Sequence, residues 1–200
     1  MTTRSKLIWH DPIPVFPGPD LLDLDRETPL LADILVRRGF SSAKTAQGFL
    51  DPALYTPSPP AGLPDCAIAA GYLADALKRG DRILVWGDFD VDGQTATALY
   101  VDAFQAVGAS VSFYVPHRLR ESHGIRLDSL RRQIAEIEPL LLLTCDTGVS
   151  AHTAIDYAKS QGLAVIVTDH HDLPPALPDA DAVVNPRRLP QDHPLAALPG

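Results

Sequence analysis

Beyond residue 80 the apolar positions follow two periods in turn. Residues 83–86, 140–144 and 164–168 are short unbroken apolar runs with the length and β-branched character of buried strands, and residues 110–115 alternate like a half-buried strand. Between them apolar residues recur at helical spacing. Ala96, Leu99, Tyr100, Ala103 and Phe104 share one face over 94–107, and further helices are expected over 127–137 and 151–161, with Gly108 and Gly162 placed to stop the first and last. Strands alternating with helices predict an α/β fold: a mostly parallel sheet flanked by helices, with right-handed crossovers.

The first third reads differently. Residues 1–28 are rich in Pro, Asp and Leu without periodicity, which predicts an extended or partly disordered arm. A helix is expected over 30–39, and a shorter one, capped by Ser41 or Ser42, runs to Leu50 before Asp51-Pro52 ends it. Five prolines between 52 and 64 predict a linker, and a helix over 67–79, closed by Gly80, leads into the first strand. The chain thus divides into an arm with short helices and linker over 1–66 and an α/β domain over 67–200.

Chemistry gathers where the predicted strands stop. Behind 83–86 and Gly87 come Asp88, Asp90 and Asp92 at alternate positions. Clustered carboxylates repel one another, so they need an offsetting charge, and hard oxygen donors suit Mg²⁺ or Mn²⁺. The run 140–144 ends at Cys145-Asp146-Thr147-Gly148, and 164–168 ends at Asp169-His170-His171. In a parallel sheet these ends share one edge, where α/β sheets bind their ligands. A single acidic turn is explained by solvation, because Asp and Gly are turn formers. Three on one rim are the ligand set of a two-metal hydrolytic site acting on phosphate. A calcium loop is excluded, since Asp88 and its neighbours follow a strand and lack the closing Glu such loops use.

Composition narrows the setting. At 200 residues and 46% hydrophobic the chain can bury a full core. No apolar run approaches the ~20 residues of a bilayer span, and no signal-type apolar core follows Met1, so a soluble, cytoplasmic protein is expected. Cys66 and Cys145 lack disulfide or zinc spacing. A net charge of −8 argues against a broad nucleic-acid groove within these residues, though not against a local basic track. His10, His117, His123, His152 and His193 stand alone and read as surface or loop residues, with His117 and His123 flanking the polar loop over 116–124.

The stretches 87–93 (Gly-Asp-Phe-Asp-Val-Asp-Gly), 144–148 (Thr-Cys-Asp-Thr-Gly) and 167–171 (Val-Thr-Asp-His-His) resemble the first three motifs of the DHH phosphoesterase superfamily. From about residue 29 onward the chain is further similar to the N-terminal part of the RecJ exonuclease family, through the helix over 30–39, Phe49-Leu50-Asp51-Pro52, Val115-Pro116-His117-Arg118 and Ala182-Val183-Val184-Asn185-Pro186. The resemblance implies a metal-dependent phosphodiesterase that digests single-stranded DNA from 5′ to 3′ in repair and recombination, with Mn²⁺ or Mg²⁺ as cofactor, two ions being expected.

Residue by residue, it implies Asp88, Asp90, Asp92, Asp146 and His170 as metal ligands, with Asp146 bridging. Asp146, His170 and His171 would be catalytic, His171 lying beside the scissile phosphate. Asp169 would orient its neighbours from behind the ligands, and Arg118, with His171, would contact a DNA phosphate. Single-stranded DNA is the implied partner, with a single-strand-binding protein or a helicase beside it. Two other readings stay open: a DHH hydrolase of short oligonucleotides or cyclic dinucleotides, and a non-catalytic nucleic-acid-binding or assembly module. The sequence departs from the family at Trp86, where many relatives carry histidine, and over 120–125, where the family has a glycine-and-tyrosine stretch. It ends at Gly200, before the family's fourth motif, so a truncated enzyme is expected, inactive alone if that motif is essential.

Overall fold

The computed structural model describes residues 10–196 and 198, so the first nine residues of the expected arm lie outside the described residues. Contacts divide the chain into two units, Met1–Pro57 and Ser58–Gly200. In the first unit α1 (Pro19–Leu22), α2 (Pro29–Arg37) and α3 (Ala43–Leu50) bury Leu21, Ala32, Leu35 and Ala46 together. The arm expected to be extended therefore holds a helical turn. Pro19 presets its first position, and Leu21, 1% exposed, anchors it to the other helices, a contact that local periodicity cannot reveal. Ser42 caps α3 by accepting a hydrogen bond from Thr45 N, as its place in the sequence suggested. The proline-rich stretch makes two 3₁₀ turns, Pro52–Leu54 and Pro60–Gly62, each opened by a proline.

Among its described residues the second unit holds five parallel strands in the order β2-β1-β3-β4-β5: β1 (Ile83–Trp86), β2 (Val111–Tyr114), β3 (Leu141–Cys145), β4 (Ala164–Thr168) and β5 (Ala182–Val184). Helices α4 (Cys66–Arg79), α5 (Val91–Ala106), α6 (Leu127–Ile137) and α7 (His152–Ser160) flank the sheet. On one face Leu84, Trp86, Leu142, Val165, Val167 and Val183 pack against Leu130 of α6 and Ala154, Ile155 and Ala158 of α7. On the other, Ile83, Val85, Leu143, Cys145 and Ile166 pack against Ala69 and Ala76 of α4 and Phe104 of α5. Covered on both faces, β1 and β3 are buried along their whole length, which is why their sequences are unbroken apolar runs. Each buried Leu, Ile or Val there contributes about 1.5–3 kcal/mol, so the strand ends are carried on a stiff frame.

Two elements differ from the pattern. The strand β5 is too short to show a period and was not expected. Helix α5 begins at Val91, three residues before the expected Gln94. Asp90 caps it by accepting from Gly93 N at 3.0 Å. Gly93 lies inside the helix for a steric reason: a Cβ there would stand 2.5 Å from Asp88 N.

Candidate metal centre

Strand order places the site at the break in the chain's path. From β1 the chain turns to β2 on one side and then crosses to β3 on the other, so the C-terminal ends of β1 and β3 open a crevice between them. The ladder continues one residue past the strands: Asp146 N donates to Thr168 O, and Asp169 N to Val184 O, each at 3.0 Å. Both acidic residues are therefore seated by a neighbouring strand's backbone, Asp169 by the unexpected β5.

Asp146 adopts φ +59, a left-handed conformation that costs a non-glycine residue roughly 1–2 kcal/mol. Its side chain is the unusual feature of the site. Asp146 is 1% exposed, and neither carboxylate oxygen has a hydrogen-bond donor among the described residues. His170 Nε2 lies 2.9 Å from Asp146 Oδ1, but out of line for a hydrogen bond. A further neighbour is a second acid, Asp90, whose charge acts on Asp146. Burial and the Asp90 charge push the Asp146 carboxyl up to about 6, against the pull of His170 and His171. Asp90 moves the other way, because the bond from Gly93 N outweighs its burial and holds it below the usual carboxylate range.

Asp146, His170 and His171 each offer one ligand atom, all within 4.8 Å of one another. A buried carboxylate without a donor is costly unless a cation compensates it, and a mixed set of imidazole and carboxylate suits a divalent ion such as Mn²⁺. The residues present thus fit a divalent cation. Asp169, by contrast, is saturated: Oδ1 accepts from His170 N and His171 N and faces His171 Nδ1 at 2.8 Å, while Oδ2 accepts from Val149 N. It folds the turn and orients His171 rather than offering a free oxygen. Burial lowers the His171 imidazole, but the bond to Asp169 and the charges of Asp169, Asp146 and Asp88 outweigh it and raise it.

Two residues outside the site set expected from the sequence hold the same turn. The fully buried Asn185 donates from Nδ2 to His171 O at 3.0 Å, and Arg187 Nε donates to His170 O at 3.1 Å. The Asn-Pro pair behind a short apolar run was the only local signal. Asp88, 2% exposed, accepts from Phe89 N at 2.6 Å through Oδ1, and its Oδ2 faces His123 Nδ1 at 3.0 Å. Asp88, His123, Asp169 and His171 line one cleft of about 430 Å³ with residues 147–150.

Other expected site residues stand apart. Asp92 is exposed in the first turn of α5. Alternate positions share a side in an extended chain but diverge once a helix begins between them, so Asp92 is not among the groups gathered at Asp146. Arg118 is exposed, with Cζ 5.1 Å from the centroid of the Phe89 ring. Trp86 is fully buried and packs on Tyr114 at 4.5 Å between centroids.

Residues 82–197 match the DHH family, N-terminal domain. The single-stranded-DNA-specific exonuclease RecJ of Bacillus subtilis is 38% identical over 176 residues, which is 86% of this chain and 22% of that protein. RecJ of Escherichia coli is 36% identical over 180 residues, 89% of this chain and 30% of that protein. Among solved structures, exonuclease RecJ bound to manganese aligns with a TM-score of 0.62 at 37% identity, over 68% of this chain and 34% of that one. RecJ of Thermus thermophilus in complex with Mn²⁺ gives 0.65 at 29% identity, over 86% and 23%. The chain spans less than a third of the length of these two curated relatives. The matched stretch exceeds half of the sequence and carries β1 to β5 with every residue of the acidic and imidazole cluster, and on that ground the chain belongs to the DHH family.

Proposed function

We propose that the chain is the metal-holding part of a phosphodiesterase that removes nucleotides from single-stranded DNA, 5′ to 3′, in repair and recombination. One observation carries this reading: the Asp146 carboxylate, buried at a strand end without a donor and beside Asp90, His170 and His171. Likeness to RecJ exonucleases, whose solved structures hold Mn²⁺ or Mg²⁺, supports the substrate and the ions. Asp88, Asp90, Asp146 and His170 are the proposed ligands, with Asp146 bridging, while Asp92, exposed on the first turn of α5, is left out of the set. Two Mn²⁺ or Mg²⁺ ions held there would activate water and neutralise charge developing on the phosphate oxygens.

The remaining tasks fall to the chain itself. Asp146 and Asp90 supply negative charge that faces imidazoles but no Lys or Arg ion pair among the described residues, and Asp169 occupies His171 Nδ1, leaving Nε2 for a phosphate oxygen. Arg118 is the proposed contact to a DNA phosphate, exposed above Phe89. Residues 67–200 are the proposed phosphoesterase domain. Among the described residues no helix is long and apolar enough to cross a membrane. A cytoplasmic site of action, and a single-strand-binding protein or helicase as partner, are proposed from the same likeness.

The test is Mn²⁺ titration by calorimetry of the chain and of an Asp90→Ala/Asp146→Ala variant. Saturable binding that disappears in the variant supports the assignment; equal binding by both chains overturns it.

A further inference from the structure

The loop over 115–126, between β2 and α6, reaches the metal centre from the side. At its root one carboxylate ties three segments together. Glu121 accepts from the hydroxyl of Tyr114, the last residue of β2, at 2.8 Å, from His117 N at 2.8 Å, and from Ser129 Oγ of α6. Near its tip His123 meets Asp88, with Nδ1 3.0 Å from Oδ2, and its ring centroid lies 4.2 Å from that of Phe89. Arg118 of the same loop also covers Phe89, which stands between Asp88 and Asp90.

We infer that His123 is a positioning residue for Asp88, one that locks the plane of a metal-facing carboxylate and makes cation affinity depend on the seating of the loop that carries Arg118. This rests on the function proposed for the site. A carboxylate bonded at one oxygen still turns about its own axis; bonded at both, it is held. Among the described residues Phe89 N takes Oδ1 and His123 takes Oδ2. The His123 side chain is 64% exposed, so it contributes little to the core, and its contact with a carboxylate only 3% exposed is its main engagement. Partners of this kind typically change metal affinity by about 10–100-fold, because they preorganise the ligand before the ion arrives. Sequence alone placed His123 among isolated histidines, since 35 residues separate it from Asp88.

Three substitutions separate the bond from the ring stacking. His123→Ala removes both, His123→Phe keeps a ring against Phe89 without a donor, and His123→Gln restores an N–H donor without a ring. In Mn²⁺ titrations of the 200-residue chain, Ala and Phe are expected to weaken binding roughly tenfold and Gln about threefold or less, with melting temperatures unchanged. Glu121→Gln, outside the proposed ligand set, is expected to weaken binding by a smaller factor through the loop. Equal affinity for His123→Phe and the unmodified chain overturns the positioning role, as does Gln binding no better than Ala. If the unmodified chain takes up no Mn²⁺, the metal centre fails and this inference with it. If binding is present and lost in Asp90→Ala/Asp146→Ala while all His123 variants match the unmodified chain, the positioning role alone fails.

Discussion

Two carboxylates at opposite edges of one sheet, one partly buried and one fully buried, meet opposite surroundings. Asp181, just before β5, has a side chain 15% exposed; Oδ1 accepts from Lys159 Nζ at 2.5 Å and Oδ2 from Val165 N at 2.7 Å. Burial pushes this carboxyl up, but the Lys159 and Val165 bonds and the Lys159 charge outweigh it and hold it below the usual range. Asp146, at the C-terminal edge, has no hydrogen-bond donor at either oxygen among the described residues and is pushed up to about 6. A desolvated polar group is ordinarily satisfied by the fold, as the partly buried Asp181 is, so a buried one left unsatisfied on strained backbone marks where the fold serves a ligand instead of itself. Burial desolvates both residues, and more so Asp146, but it is their partners that give the two shifts opposite signs.

The largest effect that sharpens this contrast is on binding. Asp146→Ala should weaken Mn²⁺ by at least about 100-fold, roughly 3 kcal/mol, while the metal-free chain melts no lower than before, because the substitution relieves a desolvated charge. Calorimetry and thermal melts check both halves, and a fall in stability like that expected of Asp181→Ala would break the comparison. Asp181→Ala should leave Mn²⁺ affinity unchanged and lower unfolding free energy by about 2 kcal/mol, measured in denaturant, since it strips partners from Lys159 and Val165 N.

The pH dependence of the metal-free chain should carry opposite signs at the two sites. The folded-state pKa of Asp181 is depressed, so its stabilisation is present above the unfolded carboxylate value and lost as pH falls through the folded one. The Asp146 value is raised, so its contribution is greatest below the unfolded value and is lost as pH rises toward about 6. Melting temperatures from about pH 3 to 8 should therefore show Asp181→Asn flattening the acid limb and Asp146→Asn removing a decline between about pH 4 and 6, each by a few degrees. Matching signs would mean the two carboxylates are not distinct in kind. The smallest expected effect is that of Arg187→Ala, about a twofold loss of Mn²⁺ affinity in the same titration, because Asn185 still holds the adjacent carbonyl of the turn.

Much of this was legible in the sequence. Four of the five strands announced themselves as apolar runs or alternation, the central ones because they are covered on both faces, and their acidic and imidazole ends had to share an edge once the sheet was parallel. Asp92 turns away from its neighbours, because alternation implies a common side only while the chain stays extended, and α5 begins at Val91. The short strand β5 and the turn around Leu21 left no periodic trace, although β5 seats the turn that carries His170 and His171.

The sequence by itself determined the layers, the parallel sheet and the residue types at its C-terminal rim, because those follow from local period and from chain connectivity. Only the tertiary structure decided which acids are satisfied: that Lys159 and Val165 complete Asp181, that Asp169 is filled by its own turn, and that His123 reaches Asp88. Period reports which side of an element faces the core. Whether a buried carboxylate meets a donor depends on residues tens of positions away, and no local pattern encodes that distance.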